Sequence, residues 1–296
     1  MEKIIVEKIK ETFSEEVELI SIKKVLGGEI SDSYKYKTTI GSFFVKTNSN
    51  VDSFKMFQSE AIGLKRISET DSIRVPKVYY LGKYSENKSF IIMEFIKFSS
   101  KSDEKKFARK LAKLHSFRPK EEKFGFEVDN FIGFTPQINQ FESNWINFFK
   151  KNRLEKQFYF LNEDYVKIKK MGEELIKKLD LFFIGIKIKP SLIHGDLWSG
   201  NFSFDENGEP IIFDPATYYG HNEVELSIMI MFGDLSKQFF DEYHKILPKQ
   251  KGFEERILIY QLYHYLNHLN LFGNDYQSIC ESILTNLLEK STEFTK

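Results

Sequence analysis

The residues whose types and spacing can do chemistry lie in one stretch, LIHGDLWSGNFSFDENGEPIIFDPATYYGHNE, Leu192 to Glu223. An apolar pair runs into His194-Gly195-Asp196, Asn201 follows five residues after the aspartate, and Asp214 closes a second apolar run. Glycine before the aspartate permits a backbone angle that other residues avoid, so Asp196 is read in a tight loop after a strand. Asn201 stands before the strand FSF, Asn207-Gly208 is a two-residue hairpin signal, and the return strand PIIF ends near Asp214. Such a hairpin brings Asn201 and Asp214 to the same end of two paired strands. Two oxygen ligands there, with Asp196 close by, make a hard-cation site suited to magnesium, which takes few protein ligands and keeps positions for phosphate. The chemistry implied is that of a kinase catalytic loop, phosphoryl transfer, with Asn201 and Asp214 holding the metal beside Asp196. A single Asp or Asn in a turn is usually turn chemistry. His-Gly-Asp with Asn at this offset, however, arises by chance in roughly one chain of this length in 500, so the set is read as functional.

The elements that must position these residues follow from periodicity. Ile4, Ile5, Ile9 and Phe13 stand near helical spacing over 2–13. Residues 17–26, 33–40 and 41–47 read as strands separated by glycine turns, 52–69 as a helix, and 76–84 and 88–96 as two further strands. A five-stranded antiparallel sheet with one packed helix is the simplest assembly of the first hundred residues. The polar, Ser-rich stretch 97–105 looks like a connection between lobes, and the chain beyond it is mostly helical. Phe107, Leu111 and Leu114 mark one stripe, 142–182 holds two or more helices, and others are expected at 223–232, 235–246, 254–272 and 275–294. The reading is α+β, in two lobes: 1–96 a nucleotide-binding lobe, 97–102 a hinge, and 103–296 a helical lobe with the catalytic loop and acceptor site.

Phosphoryl transfer makes demands on the first lobe. A lysine at a strand end should pair with a helix glutamate and hold the nucleotide phosphates. Lys46 ends SFFVK, and Glu60 lies on the next helix in FQSEAIGL. The turn LGGEISDS precedes Lys46 by about two strands, and its backbone at Gly28 and the Ser31 hydroxyl are placed to face phosphate oxygens. The strand SFIIMEFI leads into the hinge, where the backbone at Glu94 and Ile96 would meet the adenine edge. The nucleotide and metal are therefore expected to be ATP and Mg2+.

Bulk composition narrows the class. Lys plus Arg number 43 and Asp plus Glu number 43, so nothing favours nucleic acid or an anionic membrane as the partner. Cys280 is the only cysteine in the 296 residues, which excludes an internal disulfide and a cysteine-rich metal site and fits a reducing cytoplasm. No apolar run approaches the roughly 20 residues that span a bilayer.

HGDLWSGN, FDPATYYGHNEVELSIMIMFG, FGFEVDNFIGFTPQINQFESNWINFFKKNRL and IYQLYHYLNHLNLFG, with SFFVKTN at the front, resemble the fructosamine kinase (ketosamine kinase) family. That family sits within the aminoglycoside phosphotransferase and protein-kinase-like fold. The resemblance covers nearly the whole chain. It implies transfer of the ATP γ-phosphate to the 3-hydroxyl of a ribulosamine or fructosamine, whose phosphorylated adduct then releases its amine, a deglycation. It implies Asp196 as the base, Asn201 and Asp214 as magnesium ligands, and Lys46, fixed by Glu60, on phosphate. Trp198, two residues after Asp196, is the substrate candidate, by stacking or by cation–π attraction; the alternative is a buried loop anchor. His194 is read as orienting the loop and His115 as a packed helix residue; His221 and Tyr219 border the pocket or cap a helix and are not catalytic. Relatives often carry cysteine where this chain has Glu29, so a redox switch through that loop is not expected. A kinase of another small acceptor on the same fold, aminoglycoside or choline-like, is the alternative, and a non-catalytic scaffold the third reading.

Overall fold

In the computed structural model, which describes residues 1–25, 30–233 and 235–294, the first lobe contains α1 (Glu2–Phe13), β1 (Leu19–Val25), β2 (Asp32–Thr38), β3 (Gly41–Asn48), α2 (Ser53–Ser68), β4 (Val78–Ser85) and β5 (Lys88–Glu94). The strands form one antiparallel sheet in the order β1-β2-β3-β5-β4. Strand alternation sorts its side chains onto two faces. Ile5 and Ile9 of α1 pack with Tyr36, Phe43, Val45, Phe90 and Ile92 on one face. Phe57 and Leu64 of α2 pack with Ile91 and Met93 on the other. Lys46 follows Val45 and therefore points to the α2 face of a strand flanked on both sides, which accounts for its burial.

The second lobe is mostly helical: α3 (Glu104–His115), β6 (Asn130–Ile132), β7 (Thr135–Gln137), α4 (Trp145–Phe149), α5 (Glu155–Phe160), α6 (Val166–Lys178), β8 (Ser191–Ile193), β9 (Phe202–Phe204), β10 (Pro210–Ile212), β11 (Tyr218–Gly220), α7 (Asn222–Phe232), α8 (Lys237–His244), α9 (Phe253–Phe272) and α10 (Gln277–Glu293). A π-turn over Lys150–Leu154 joins α4 to α5. The helix α9 buries Ile257, Ile259, Tyr260, Leu262, Tyr263 and Leu266 on more than one face, as expected of a helix at the centre of a core. No helix among the described residues is long and apolar enough to cross a membrane. The two-lobed α+β, kinase-like architecture expected from the sequence is the one found.

Four short strands frame the stretch from Leu192 to Glu223. The strand β8 pairs with β11 and β9 with β10, both antiparallel. The β9–β10 loop differs from the expected two-residue turn. Asp205 N–H bonds the Glu209 carbonyl, and the Asp205 carboxylate accepts from the Asn207 and Glu209 N–H groups. The loop is thus three residues, 206–208, with Gly208 at φ 75° in its last position, the geometry of a type I turn closed by a left-handed glycine. Two contacts join this hairpin to the first lobe. The Ile212 N–H donates to the Arg74 carbonyl at 3.0 Å. The Arg74 guanidinium reaches Glu94 at 2.7 Å and Asp205 at 3.0 Å.

Behind the site, α7 is fixed to α9 by Arg256, whose Nε and Nη2 meet the Glu223 carboxylate at 2.7 and 2.8 Å with both residues buried. Removing one member of a buried pair strands a charge and costs about 3–5 kcal/mol, whereas replacing both with apolar groups is often neutral. Arg256→Ala is therefore expected to lower unfolding free energy by that amount in urea titration, and Arg256→Met with Glu223→Leu to recover most of the loss.

Candidate active site

The sequence-predicted residues converge through backbone contacts before their side chains are considered. The His194 carbonyl accepts from the Ala216 N–H at 2.9 Å, and the Asn201 carbonyl accepts from the Phe213 N–H at 3.0 Å. These two bonds bind the loop after β8 to the segment after β10. Gly195 has φ 88°, and a Cβ there would fall 2.2 Å from the Ala216 carbonyl oxygen. No larger residue fits between His194 and Asp196 without moving main chain. Asp214 is one of three non-glycine residues at positive φ among those described, at 59°. Aspartate tolerates that region better than most residues.

The side chains complete the arrangement. Asn201 Nδ2 donates to the Asp196 carbonyl at 2.7 Å and to its Oδ2 at 3.1 Å. Committing the amide nitrogen to Asp196 leaves the amide oxygen as the atom Asn201 can offer elsewhere. Lys46 Nζ lies 2.8 Å from Glu60 Oε2 and 3.0 Å from Asp214 Oδ1, so it links β3, α2 and the segment after β10. Gly63, one turn beyond Glu60, lets α2 approach that segment: a Cβ there would lie 2.9 Å from Thr217 Oγ1.

Electrostatics follow from one cation among several carboxylates. Burial by itself would lower the Lys46 pKa, but Asp214 and Glu60 outweigh it and hold the group above its ordinary value. Glu60 is pushed up to about 7, first by burial and then by Asp214, against the pull of Lys46. Both shifts express the same imbalance, a charged lysine shared between two carboxylates. Asp196 is raised well above its ordinary value by burial, then by Glu225 and Asp214, with the Asn201 hydrogen bond opposing. This surplus of negative charge, in a set of oxygen donors, fits a divalent hard cation. Among the described residues no group of three or more His, Cys, Asp or Glu side chains forms a metal cage. Asn201 and Asp214 could therefore hold magnesium only as a few-ligand site completed by water or phosphate.

His194 sits in the loop with Nδ1 accepting from the Asp196 N–H at 3.3 Å and Nε2 at 2.9 Å from the Phe213 carbonyl. Burial lowers its pKa. The neutral tautomer with its proton on Nε2 satisfies both contacts. Glu225, in the first turn of α7, is a residue that sequence reasoning missed. Its carboxylate accepts from the backbone N–H groups of His194, Gly195 and Leu197, and it lies 3.7 Å from His115 Nε2. Burial would raise its pKa, but the His115 contact, then His194, then the Gly195 N–H, hold it below the ordinary value. The available signal was a carboxylate inside the apolar run VELSIMIMF, in the turn where the helix dipole favours negative charge. His115 is packed, with Nδ1 2.7 Å from the Tyr243 hydroxyl. His221 precedes α7 and meets Tyr260 at 2.8 Å, and Tyr219 lies in β11 opposite Leu192.

The residues expected on the nucleotide side are more scattered. Gly28 and Glu29 lie outside the described residues. The Ser31 hydroxyl accepts from Asn48 Nδ2 at 3.1 Å, and the same amide bonds the Ile30 carbonyl at 3.0 Å. The Glu94 N–H is taken by the Lys77 carbonyl at 2.8 Å, and its carboxylate meets Arg74 and the Lys77 N–H. Ile96 follows the end of β5, half-buried. Trp198 is exposed and packs its ring against Phe232 at 5.2 Å, so it is not a fully buried anchor.

Two outcomes are expected. Glu225→Ala leaves buried N–H groups unpaired at about 1–3 kcal/mol each, so unfolding in urea should show a loss of at least about 3 kcal/mol. Asp196 has a folded pKa above its unfolded value, so the folded state binds more protons and loses stability as pH rises between the two. Asp196→Asn should thus raise the thermal midpoint at neutral pH, and the gain should vanish as pH falls toward 3.8.

The whole described structure has relatives. The sequence profile of the fructosamine kinase family matches residues 1–290. The chloroplastic protein-ribulosamine 3-kinase of Oryza sativa subsp. indica is 45% identical over 273 residues, 91% of this chain and 79% of that one. The ketosamine-3-kinase of Mus musculus is 36% identical over 292 residues, 88% of this chain and 93% of that one. A crystal structure assigned to the same family, from Haemophilus somnus 129PT, superposes with a TM-score of 0.86 at 28% identity, covering 97% of this chain and 98% of that one.

Proposed function

The chain belongs to the fructosamine kinase family, and on that premise we propose that it transfers the γ-phosphate of ATP to the 3-hydroxyl of a ketosamine. The observation that carries the site assignment is Lys46 joined to both Glu60 and Asp214, beside an Asp196 carboxylate tethered by Asn201. In this reading Asp196 takes the proton of the acceptor hydroxyl as its oxygen bonds the γ-phosphorus and the bond from that phosphorus to the β-phosphate oxygen breaks, releasing ADP. A raised pKa suits a carboxylate that must accept a proton near neutral pH. His194 and Glu225 hold the loop, and Lys46, aligned by Glu60, meets the phosphates. Asn201 and Asp214 offer oxygen donors to magnesium, which when bound neutralises phosphate charge. Ser31, Gly28 and the backbone at Glu94 and Ile96 are assigned to the nucleotide, and Trp198 to the acceptor. Residues 1–96 serve as the nucleotide lobe, 97–102 as the hinge and 103–296 as the acceptor lobe. The phosphorylated adduct then breaks down and frees the amine. A cytoplasmic setting suits Cys280, which is free and buried.

The test is magnesium-dependent ATP consumption with a small synthetic ribulosamine and the matching fructosamine. Turnover of either is expected, and the ratio of the two kcat/KM values gives the sugar preference. Asp196→Asn should bind ATP and lose about 10²–10⁴-fold in turnover; Lys46→Ala should weaken both. Intact ATP binding with no turnover of either sugar would reject the ketosamine acceptor.

A further inference from the structure

Trp198 does not stand alone. Its ring lies 5.2 Å from Phe232, which is 6.1 Å from His268, which is 5.6 Å from Phe272 and 5.1 Å from Tyr276. The row spans three parts of the fold: the loop after Asp196, the last residue of α7, and the end of α9 with the turn that follows it. Three of its rings reach the surface, while His268 and Tyr276 are half-buried. Trp198 is 36% exposed, Phe232 37% and Phe272 54%. Isolated surface aromatics need no explanation, but a contiguous run that begins beside a catalytic loop does.

We propose that this row is the subsite for the amine-bearing half of the acceptor, and that the enzyme favours ketosamines whose nitrogen carries an aromatic or long apolar group. The inference rests on the ketosamine reading of the site. In a ketosamine the 3-hydroxyl carbon and the nitrogen are separated by three bonds. With the hydroxyl at Asp196, the nitrogen would lie toward Trp198, two residues along the loop. A protonated secondary amine is attracted to an indole face. Whatever hangs from that nitrogen must leave the cleft. A Cβ at Gly133, in the β6–β7 turn, would lie 2.9 Å from Leu271 Cδ1 and 3.6 Å from Ile30 Cδ1, so this turn, the end of α9 and Ile30 before β2 already meet. The proposed path follows the exposed rings of Phe232 and Phe272, with the half-buried Tyr276 beside them.

The test compares two ketosamines with one sugar, built on methylamine and on the side-chain amine of Nα-benzyloxycarbonyl-lysine. Phe272→Ser and Tyr276→Ser should each raise KM for the aryl substrate about three- to tenfold, the range of one lost aromatic contact, with kcat unchanged. Kinetics on the methylamine adduct should stay within about twofold, which also shows that the variants fold, and Phe272→Tyr should restore the aryl KM. Equal losses on both substrates, or no loss on either, would overturn the subsite while leaving the ketosamine activity standing. A wild-type enzyme that turns over neither would overturn the ketosamine reading and this inference with it.

Discussion

The site depends on one buried cation that three elements share. Lys46 reaches Glu60 on α2 and Asp214 beyond β10 from its place on β3. Few side chains could do this. The ammonium must stay charged while buried, which demands carboxylates close by, and each carboxylate arrives on an element that packing has already placed. Phe57 and Leu64 seat α2 on the sheet, and Gly63 brings that helix against Thr217. The position of Asp214 is set by the hydrogen bonds from Phe213 to Asn201 and from Ala216 to His194. The ion pairs therefore register a lobe-to-lobe alignment that apolar packing and backbone hydrogen bonds produce.

A second buried charge does comparable work from below. Glu225 collects the N–H groups that the His194–Leu197 loop cannot use in a strand or helix. Such a loop would otherwise carry unsatisfied donors in the core, each costing as much as a lost hydrogen bond. The same carboxylate raises the pKa of Asp196. Holding the loop and tuning its aspartate are thus one electrostatic act, and the surplus negative charge it leaves is offset in part by Lys46 and would be offset further by a divalent cation.

Much of this was legible in the sequence because it is local. The His-Gly-Asp loop, the offset of Asn201 and the strand before Asp214 are short-range patterns, as is the alternation that puts Lys46 opposite Val45. The five strands were readable for the same reason, each flanked by glycine or polar turns. The β9–β10 loop was misjudged by one residue because Asn-Gly fits both a two-residue turn and the end of a three-residue one, and the Asp205 carboxylate that selects the longer form acts across the loop. The partners of Glu225 and the Glu223–Arg256 pair were not legible. These contacts span 28 to 33 residues, and a carboxylate in the first turn of a helix looks the same whether it faces water or a catalytic loop.

The aromatic row illustrates the same limit at larger scale. Trp198 could be singled out beside Asp196, but Phe232, His268 and Phe272 are ordinary members of helices until the fold sets their ends side by side. What distinguishes the row is where it sits. In the proposed reaction the acceptor hydroxyl sits at Asp196, so a preference for the rest of the molecule would come from surface continuous with that point. Lys46, Glu60 and Asp214 are tied by ion pairs, and in the proposed reaction they cannot vary freely. The exposed helix ends carry no such constraint, and in the proposed subsite they are where the fold would change its acceptor while keeping its chemistry.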